Sequence, residues 1–315
     1  MNLAGLSFRD LEYLVAVADH LHFGKAAEAC AVSQPTLSAQ VRKLEEYVGV
    51  QVFERASRTI LVTERGAAVV AQARTVLGEG RRLLEVAQSG GELLGGSFHL
   101  GVISTLAPYI APIILPPLRE RYPRLRLTLS EALTAPMVRQ LEAGEIDALL
   151  ASSPIRQVEL SELPLFREVF VLAVPRDHRL AVAEKVRRED VPADEMILLD
   201  DGHCLRDHVM EAFPGCGRNG AVRATGLETL RQMVGAGLGC SVLPQLAVQV
   251  GSLLDDMVAY RLIRDGSPGR DISLFYRPSF GRITEVRALR DVIRDAMVRL
   301  GTVAVHGRPE TRPLA

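Results

Sequence analysis

The sequence predicts two domains joined by one long helix: an all-α N-terminal domain and an α/β C-terminal domain. Three observations lead to this fold class. Apolar residues recur at helical spacing near the N-terminus, a helical pattern runs unbroken from Glu64 to about Ser89, and strand and helix patterns alternate in the remainder. Such alternation favours an α/β domain, here one built on two mixed sheets. A length of 315 residues also suits about two domains.

Composition and charge exclude several classes of protein. The formal net charge is −1, so any binding of nucleic acid must depend on where charges are placed rather than on their sum. No apolar run is long enough for a transmembrane helix, and the N-terminus lacks the pattern of a secretory signal. The four cysteines include no CxxC pair. We therefore expect a cytoplasmic protein with no membrane partner, no metal site and no other cofactor.

Capping residues predict the boundaries of the N-terminal helices. Ser7 and Asp10 resemble a capping box, which indicates that the first helix begins between them. A second short helix is expected over Gly24 to Cys30. Ser33 suits the N-cap of a third helix, and Pro35 suits its first turn. Three short helices in this order predict a compact helical domain.

The third helix is expected to present two different faces. Leu37, Val41 and Leu44 share an apolar face that should pack on the first two helices. Small polar and basic groups occupy the opposite face, and a helix of this kind fits a major groove of DNA. A strand pair at 51–55 and 59–63 follows and suits a wing beside the DNA backbone. The pattern also leaves open a small helical module that binds other proteins.

The predicted DNA contacts divide by the part of DNA that each side chain reaches. Gln34 at the helix tip is placed for a base edge, whereas Arg42 and Lys43 are placed for phosphates. Arg55 and Arg58 flank the turn of the wing. The full predicted set is Ser33, Gln34, Pro35, Thr36, Ser38, Arg42, Lys43, Arg55 and Arg58.

The long helix carries a possible dimerisation seam. Its apolar and small residues alternate in steps of four and three, as in a coiled coil with one weak layer: Val69, Ala73, Val76, Gly80, Leu83 and Ala87. The alternative is a single amphipathic helix that packs on its own domain. The domain boundaries predicted from these patterns are 1–65 for the helical domain, 66–94 for the linker helix, 95–305 for the α/β domain and 306–315 for a Pro-rich, disordered tail.

One N-terminal segment carries a resemblance to a known family. The residues FGKAAEACAVSQPTLSAQVRKLEEYVGVQVFER, followed by VTERG, resemble the signature of the LysR-type regulators. The resemblance implies a winged helix-turn-helix domain that binds DNA through the helix beginning at Ser33. It also implies dimerisation through the linker helix, assembly into tetramers, and a two-lobed C-terminal domain similar to periplasmic binding proteins, with an effector site in the cleft.

Two cysteines in the C-terminal domain invite a redox interpretation. Cys204 follows an apolar strand and a short polar loop, so it should lie at a helix N-terminus. The helix dipole there favours the thiolate, while the carboxylates of Asp200, Asp201 and Asp207 oppose it. Cys216 follows Pro214-Gly215, which should end that helix. Twelve residues of intact helix would span about 18 Å, too far for a disulfide. A two-state thiol switch and a pair of structural cysteines both fit this pattern, and Cys30 and Cys240 fit core positions.

A second resemblance concerns the segment around Cys204. DDGHCLRD, with GVISTLAPYIAP and RATGLETLRQMVGAGLGCSVLP, resembles the peroxide-sensing OxyR regulators within the LysR-type family. The resemblance implies that Cys204 is the thiol that reacts with peroxide and that a later cysteine resolves the sulfenic acid. The family's resolving position falls on Phe213 here, so Cys216 is the candidate. The residues that match the family's peroxide pocket are Thr105, Thr134, His203, Arg206 and Arg277.

These observations support three functional hypotheses. The first is a peroxide-responsive transcription regulator, not an enzyme, whose partners are double-stranded promoter DNA, hydrogen peroxide, RNA polymerase and further copies of itself as a dimer of dimers. The second is a LysR-type regulator of metabolism with a small anionic effector in the cleft. The third is a thiol peroxidase fused to a DNA-binding domain.

Overall fold

The computed structural model describes residues 5–55, 60–89, 92–155, 158–217, 222–249, 256–264, 268–301 and 304–305. The predicted tail at 306–315 lies outside these ranges. The chain forms two compact units, Met1–Glu92 with Glu142–Ile146, and Leu93–Leu141 with Asp147–Ala315. No helix in the described ranges is both long enough and apolar enough to span a membrane.

The N-terminal unit contains the predicted helices and wing strands. Its elements are α1 (Phe8–His20), α2 (Phe23–Ala29), α3 (Gln34–Val48), β1 (Phe53–Arg55), β2 (Ile60–Val62) and α4 (Glu64–Ser89). Ser7 and Asp10 form the predicted capping box, and the Ser33 side chain accepts a hydrogen bond from the backbone N–H of Thr36. Local capping chemistry therefore fixes where α1 and α3 begin.

The core of this unit contains the predicted face of α3. Leu37, Val41 and Leu44 are buried against the side chains of α1 and α2. A T-shaped contact between Phe23 and Phe53, with ring centroids 6.2 Å apart, lies between α2 and the wing. The opposite face of α3 is left exposed as predicted.

Helix α4 uses its first half to complete that core. Ala73, which the sequence predicts in a dimer seam, is buried with Val70 and Leu77 in the core of its own unit. Gly80, predicted as a weak layer of the seam, packs against its own unit: a Cβ at that position would stand 2.5 Å from the Phe8 ring. Leu83, another residue of the predicted seam, is 70% exposed and does not join this core.

The C-terminal unit alternates strands and helices. Its helices are α5 (Ala107–Arg121), α6 (Thr134–Glu142), α7 (Cys204–Ala212), α8 (Leu227–Gly235), α9 (Gln245–Gln249) and α10 (Ile283–Leu300). Its strands are β3 (Ser97–Ile103), β4 (Arg126–Ala132), β5 (Ala148–Ser153), β6 (Ser161–Pro175), β7 (Lys185–Val186), β8 (Leu198–Leu199), β9 (Arg223–Ala224), β10 (Ser241–Pro244), β11 (Val258–Ile263), β12 (Gly269–Tyr276) and β13 (Ala304–Val305).

Strand β6 joins the two lobes, which corrects the prediction of two separate sheets. Nine of the described strands form one mixed sheet in the order β4-β3-β5-β12-β6-β11-β7, with β10 and β13 also paired to β6, whereas β8 and β9 form a separate parallel pair. The first part of β6 pairs with β12, and the part from Phe170 onward pairs with β10 and β11. Because β6 is long enough to serve both sets of partners, it makes two lobes from one continuous sheet.

Candidate functional site

Cys204 is the first residue of α7, as the sequence predicts. His203 occupies the N-cap position, and no side chain caps the helix there. The thiol is partly exposed and unpaired. The thiol therefore lies beside backbone N–H groups of the first helical turn, which have no partner within the helix.

The loop in front of Cys204 is held against two neighbouring elements. His203 is buried, and its Nε2 lies 3.2 Å from the carbonyl oxygen of Thr225. Gly202 has a φ of +94°, and a Cβ there would stand 3.2 Å from Cδ1 of Leu133. The loop therefore packs against the residue that precedes Thr134, the first residue of α6.

Thr134 has a hydroxyl group with unused capacity. Its Oγ1 is buried, and no group among the described residues forms a hydrogen bond with it. Buried polar atoms in native proteins usually have a partner. An unsatisfied hydroxyl next to the loop of Cys204 fits a site that takes a small polar molecule.

Thr105 contacts an arginine that the sequence analysis missed. Arg270 on β12 donates from Nη1 to Thr105 Oγ1 at 2.7 Å and from Nη2 to the Thr105 carbonyl oxygen at 3.1 Å. Its Nε also lies 2.8 Å from Glu168 Oε2, and both side chains of this ion pair are fully buried. The signal that could have found the pair is one acidic and one basic residue on two strands, Glu168 next to the apolar run that ends β6 and Arg270 at the start of β12.

Arg277 does not join this group. Its Nη1 donates to the carbonyl oxygen of Leu141, near the end of α6, and its guanidinium lies 5.3 Å above the centre of the Phe280 ring. Leu141 is seven residues beyond Thr134 on the same helix, about 10 Å at 1.5 Å per residue. Arg270, rather than Arg277, therefore supplies the positive charge beside Thr105.

Arg206 holds the loop that contains Asp201. Its Nη1 donates to the carbonyl oxygen of Leu199 at 3.0 Å, and its Nε lies 3.0 Å from Asp201 Oδ1. Arg223 reaches the other oxygen of Asp201 at 3.1 Å. These contacts tie the start of α7 to β8 and β9, so Arg206 positions the Cys204 loop.

Cys216 is buried rather than placed on an open loop. Its Sγ donates to the carbonyl oxygen of Val209 at 3.9 Å, and burial raises the pKa of the thiol. The intact helix separates Val209 from Cys204 by about 7 Å along its axis. Cys216 must leave this position before it can meet Cys204. Among the other cysteines, Cys240 is fully buried with its pKa raised to about 12, and Cys30 is half-buried.

The outer face of α3 carries the predicted DNA contacts. Gln34, Pro35, Thr36, Arg42 and Lys43 are exposed together with Ser33, and Ser38 is half-buried. Arg58 and the side chain of Arg55 lie outside the described part of the chain. Across that part, no cluster of three or more His, Cys, Asp or Glu side chains is arranged to hold a metal ion.

Comparison with known families accounts for both units. Residues 8–67 match the bacterial regulatory helix-turn-helix proteins of the lysR family, and residues 91–298 match the LysR substrate binding domain. The chain belongs to the LysR family. Its winged helix-turn-helix and two-lobed α/β domain are the two parts that this family combines.

Similar proteins narrow the comparison within the LysR family. The chain is 43% identical over 296 residues to the DNA-binding transcriptional dual regulator OxyR of Escherichia coli, covering 93% of this chain and 96% of that protein. It is similar to a full-length Cys-to-Asp variant of OxyR from Pseudomonas aeruginosa, with 36% identity, a TM-score of 0.76, and coverage of 92% and 95%. A hydrogen-peroxide-bound Cys-to-Ser mutant of OxyR from Corynebacterium glutamicum gives 30% identity, a TM-score of 0.63, and 93% coverage of each chain.

Proposed function

We propose that this LysR-family protein is a peroxide-sensing transcription regulator that changes conformation when Cys204 is oxidised. The observation that carries the proposal is the position of Cys204 at the N-terminus of α7, in a loop packed beside the unsatisfied hydroxyl of Thr134. The names of its relatives, activators of hydrogen peroxide-inducible genes, support the same effector.

The first step converts the thiol of Cys204 to a sulfenic acid. The thiolate attacks one oxygen of hydrogen peroxide, the O–O bond breaks, and the departing hydroxide takes a proton to form water. Thr105 and Thr134 hydroxyls orient the peroxide, His203 and Arg206 hold the loop, and Arg270 keeps Thr105 in place and supplies positive charge. Arg277, named for the same pocket from sequence, acts at the far end of α6.

The second step joins Cys204 to Cys216. The Cys216 thiolate attacks the sulfenic sulfur, a disulfide forms, and the sulfenic oxygen leaves as water. A disulfide requires Cα atoms within about 7 Å, so the end of α7 must unwind to release Cys216 from Val209. Breaking that helix changes the surface that the regulatory domain offers to its partner.

The N-terminal unit reads promoter DNA in this account. Helix α3 enters the major groove, and Arg55 and Arg58 on the wing contact the backbone. Two copies pair through the exposed end of α4 at Leu83, and two dimers form a tetramer that contacts RNA polymerase. We place the protein in the cytoplasm, where promoters and RNA polymerase are found.

The proposed function predicts a change of operator footprint on oxidation. Full-length protein is footprinted on its own promoter before and after a dilute peroxide pulse, with Cys204→Ser as the control. The wild-type footprint should change and the control footprint should not. A wild-type footprint that responds to a small carboxylate and ignores peroxide would support a metabolite-responsive regulator instead.

Gln34 and Lys43 should affect DNA binding in different ways. Gln34→Ala is expected to weaken discrimination at one base pair by about 1–3 kcal/mol, because the amide contacts a base edge. Lys43→Ala should weaken binding to all sequences and lower the slope of affinity against salt by about one, because it removes one phosphate contact. Affinities for a set of operator variants at several salt concentrations test both. Unchanged base preference in Gln34→Ala would rule out this contact.

A further inference from the structure

His208 lies one helical turn beyond Cys204 on α7. Residues four apart on a helix share a face, with Cβ atoms about 5–6 Å apart. The Nδ1 atom of His208 is buried, and nothing in the described ranges forms a hydrogen bond with it. A buried ring nitrogen without a partner has the capacity to bind a molecule that comes from solvent.

Charged groups from two elements act on His208. The charges of Arg270 and Asp271 on β12, and of Asp207 and Glu211 on its own helix, influence its pKa. Burial lowers the pKa of His208 below its ordinary value, and the positive charge of Arg270 lowers it further. The lowered pKa favours the neutral imidazole, which has a lone pair to accept a proton.

Arg270 links His208 to the proposed peroxide site. Arg270, which acts on His208, also binds the Thr105 hydroxyl. Thr134 Oγ1 is a second buried atom that lacks a partner among the residues described, and its helix packs against the Cys204 loop through Leu133. Thr134 Oγ1 and His208 Nδ1 are thus two unsatisfied polar atoms on the elements around Cys204, and hydrogen peroxide has two oxygen atoms that can pair with such groups.

We propose that His208 is the proton-transfer residue of the peroxide reaction at Cys204. This inference rests on the proposed function and adds a role that the sequence analysis did not assign. Thr134 and Arg270 hold the substrate and its surroundings, but a hydroxyl and a guanidinium do not exchange a proton readily at neutral pH. An imidazole does.

The proton path balances the reaction. Nδ1 of His208 takes the proton of the Cys204 thiol, and the resulting thiolate attacks the nearer peroxide oxygen. The O–O bond breaks, its electron pair goes to the farther oxygen, and the imidazolium returns the proton there to release water. The nearer oxygen keeps its hydrogen as the sulfenic acid. Sulfur is oxidised, peroxide is reduced, and His208 ends as it began.

Two reactions of Cys204 distinguish an effect on proton transfer from an effect on how easily a reagent reaches the thiol. Peroxide oxidation releases hydroxide that needs a proton, whereas alkylation by iodoacetamide consumes the same thiolate and releases iodide. The rate constants of both are measured on full-length wild-type, His208→Gln and His208→Ala proteins from about pH 5.5 to 8. His178→Gln, at the N-cap of the short 3-10 helix Arg179–Val182, is the control for a histidine away from Cys204.

The expected result is a selective loss of the peroxide reaction. Both His208 variants should slow oxidation about 100-fold, within the usual range for general acid–base catalysis, and should slow alkylation much less, because alkylation needs the thiolate but no proton for its leaving group. In the wild type, the ratio of oxidation to alkylation should fall as pH rises, because a thiol that has lost its proton to solvent leaves His208 neutral, with no proton to return to the departing oxygen. That ratio needs no variant, so it tests the proposal even if the variants fail to fold.

Several outcomes would overturn the role of His208. One is a wild-type ratio of oxidation to alkylation that does not change with pH, and another is that both variants react with peroxide as the wild type does. A His208→Gln protein with full activity would indicate that His208 contributes only a hydrogen bond. A wild-type protein whose Cys204 is alkylated yet never oxidised by peroxide would instead overturn the proposed function.

Discussion

Cys204→Ser is expected to abolish the response to peroxide completely. A serine hydroxyl has no accessible anion at neutral pH, so no nucleophile remains at the N-terminus of α7. The serine is close in size to cysteine and occupies a partly exposed position, so folding and DNA binding in the reduced state should be kept. The measurement is promoter activity and operator footprint after a peroxide pulse.

Cys240→Ser is the matched control for this prediction. Cys240 is buried, and its Sγ contacts the carbonyl oxygen of Pro192 at 3.7 Å, a bond that a hydroxyl can also make. The control should keep the full peroxide response. A Cys204→Ser protein that still responds to peroxide would move the sensing role to another residue.

Arg270→Met should destabilise the C-terminal unit by about 3–5 kcal/mol. The substitution leaves the Glu168 carboxylate buried with a backbone N–H, that of Leu246 at 3.0 Å, but without its positive partner. It also removes both hydrogen bonds to Thr105, so oxidation of Cys204 should slow as well. Urea unfolding and the rate constant for peroxide measure the two effects.

Two further variants give this prediction its controls. The double variant Glu168→Gln with Arg270→Met should recover a large part of the lost stability, because no unpaired buried charge remains. Arg277→Met should slow oxidation far less than Arg270→Met, since Arg277 binds the far end of α6. Greater slowing by Arg277→Met would restore the assignment made from sequence alone.

Local chemistry made much of the fold predictable. Ser7 with Asp10 and Ser33 with Pro35 set helix starts through bonds to neighbouring residues, and the structure has helices beginning where these caps predict. The joining of the two sheets was not predictable in this way. The first part of β6 contains charged residues and a proline, and only its pairing with β12 makes it a strand.

The site shows the same division between local and long-range information. The place of Cys204 on α7 followed from a strand, a polar loop and a helix in sequence. Arg270 and Arg277 belong to the same stretch of chain, and only the packing of β12 shows which of them faces Thr105. The burial of Cys216 against Val209 depends on how the chain turns after α7, which Pro214 and Gly215 do not specify by themselves.

Peptide mapping of the oxidised wild-type protein tests the central claim most directly. Reduced full-length protein receives a brief pulse of dilute peroxide, its remaining thiols are blocked, and its peptides are identified by mass spectrometry. The account predicts a Cys204–Cys216 crosslink, with Cys30 and Cys240 recovered as blocked thiols. A stable sulfenic acid at Cys204 with Cys216 free would contradict the disulfide switch, and an unmodified Cys204 would contradict peroxide sensing itself.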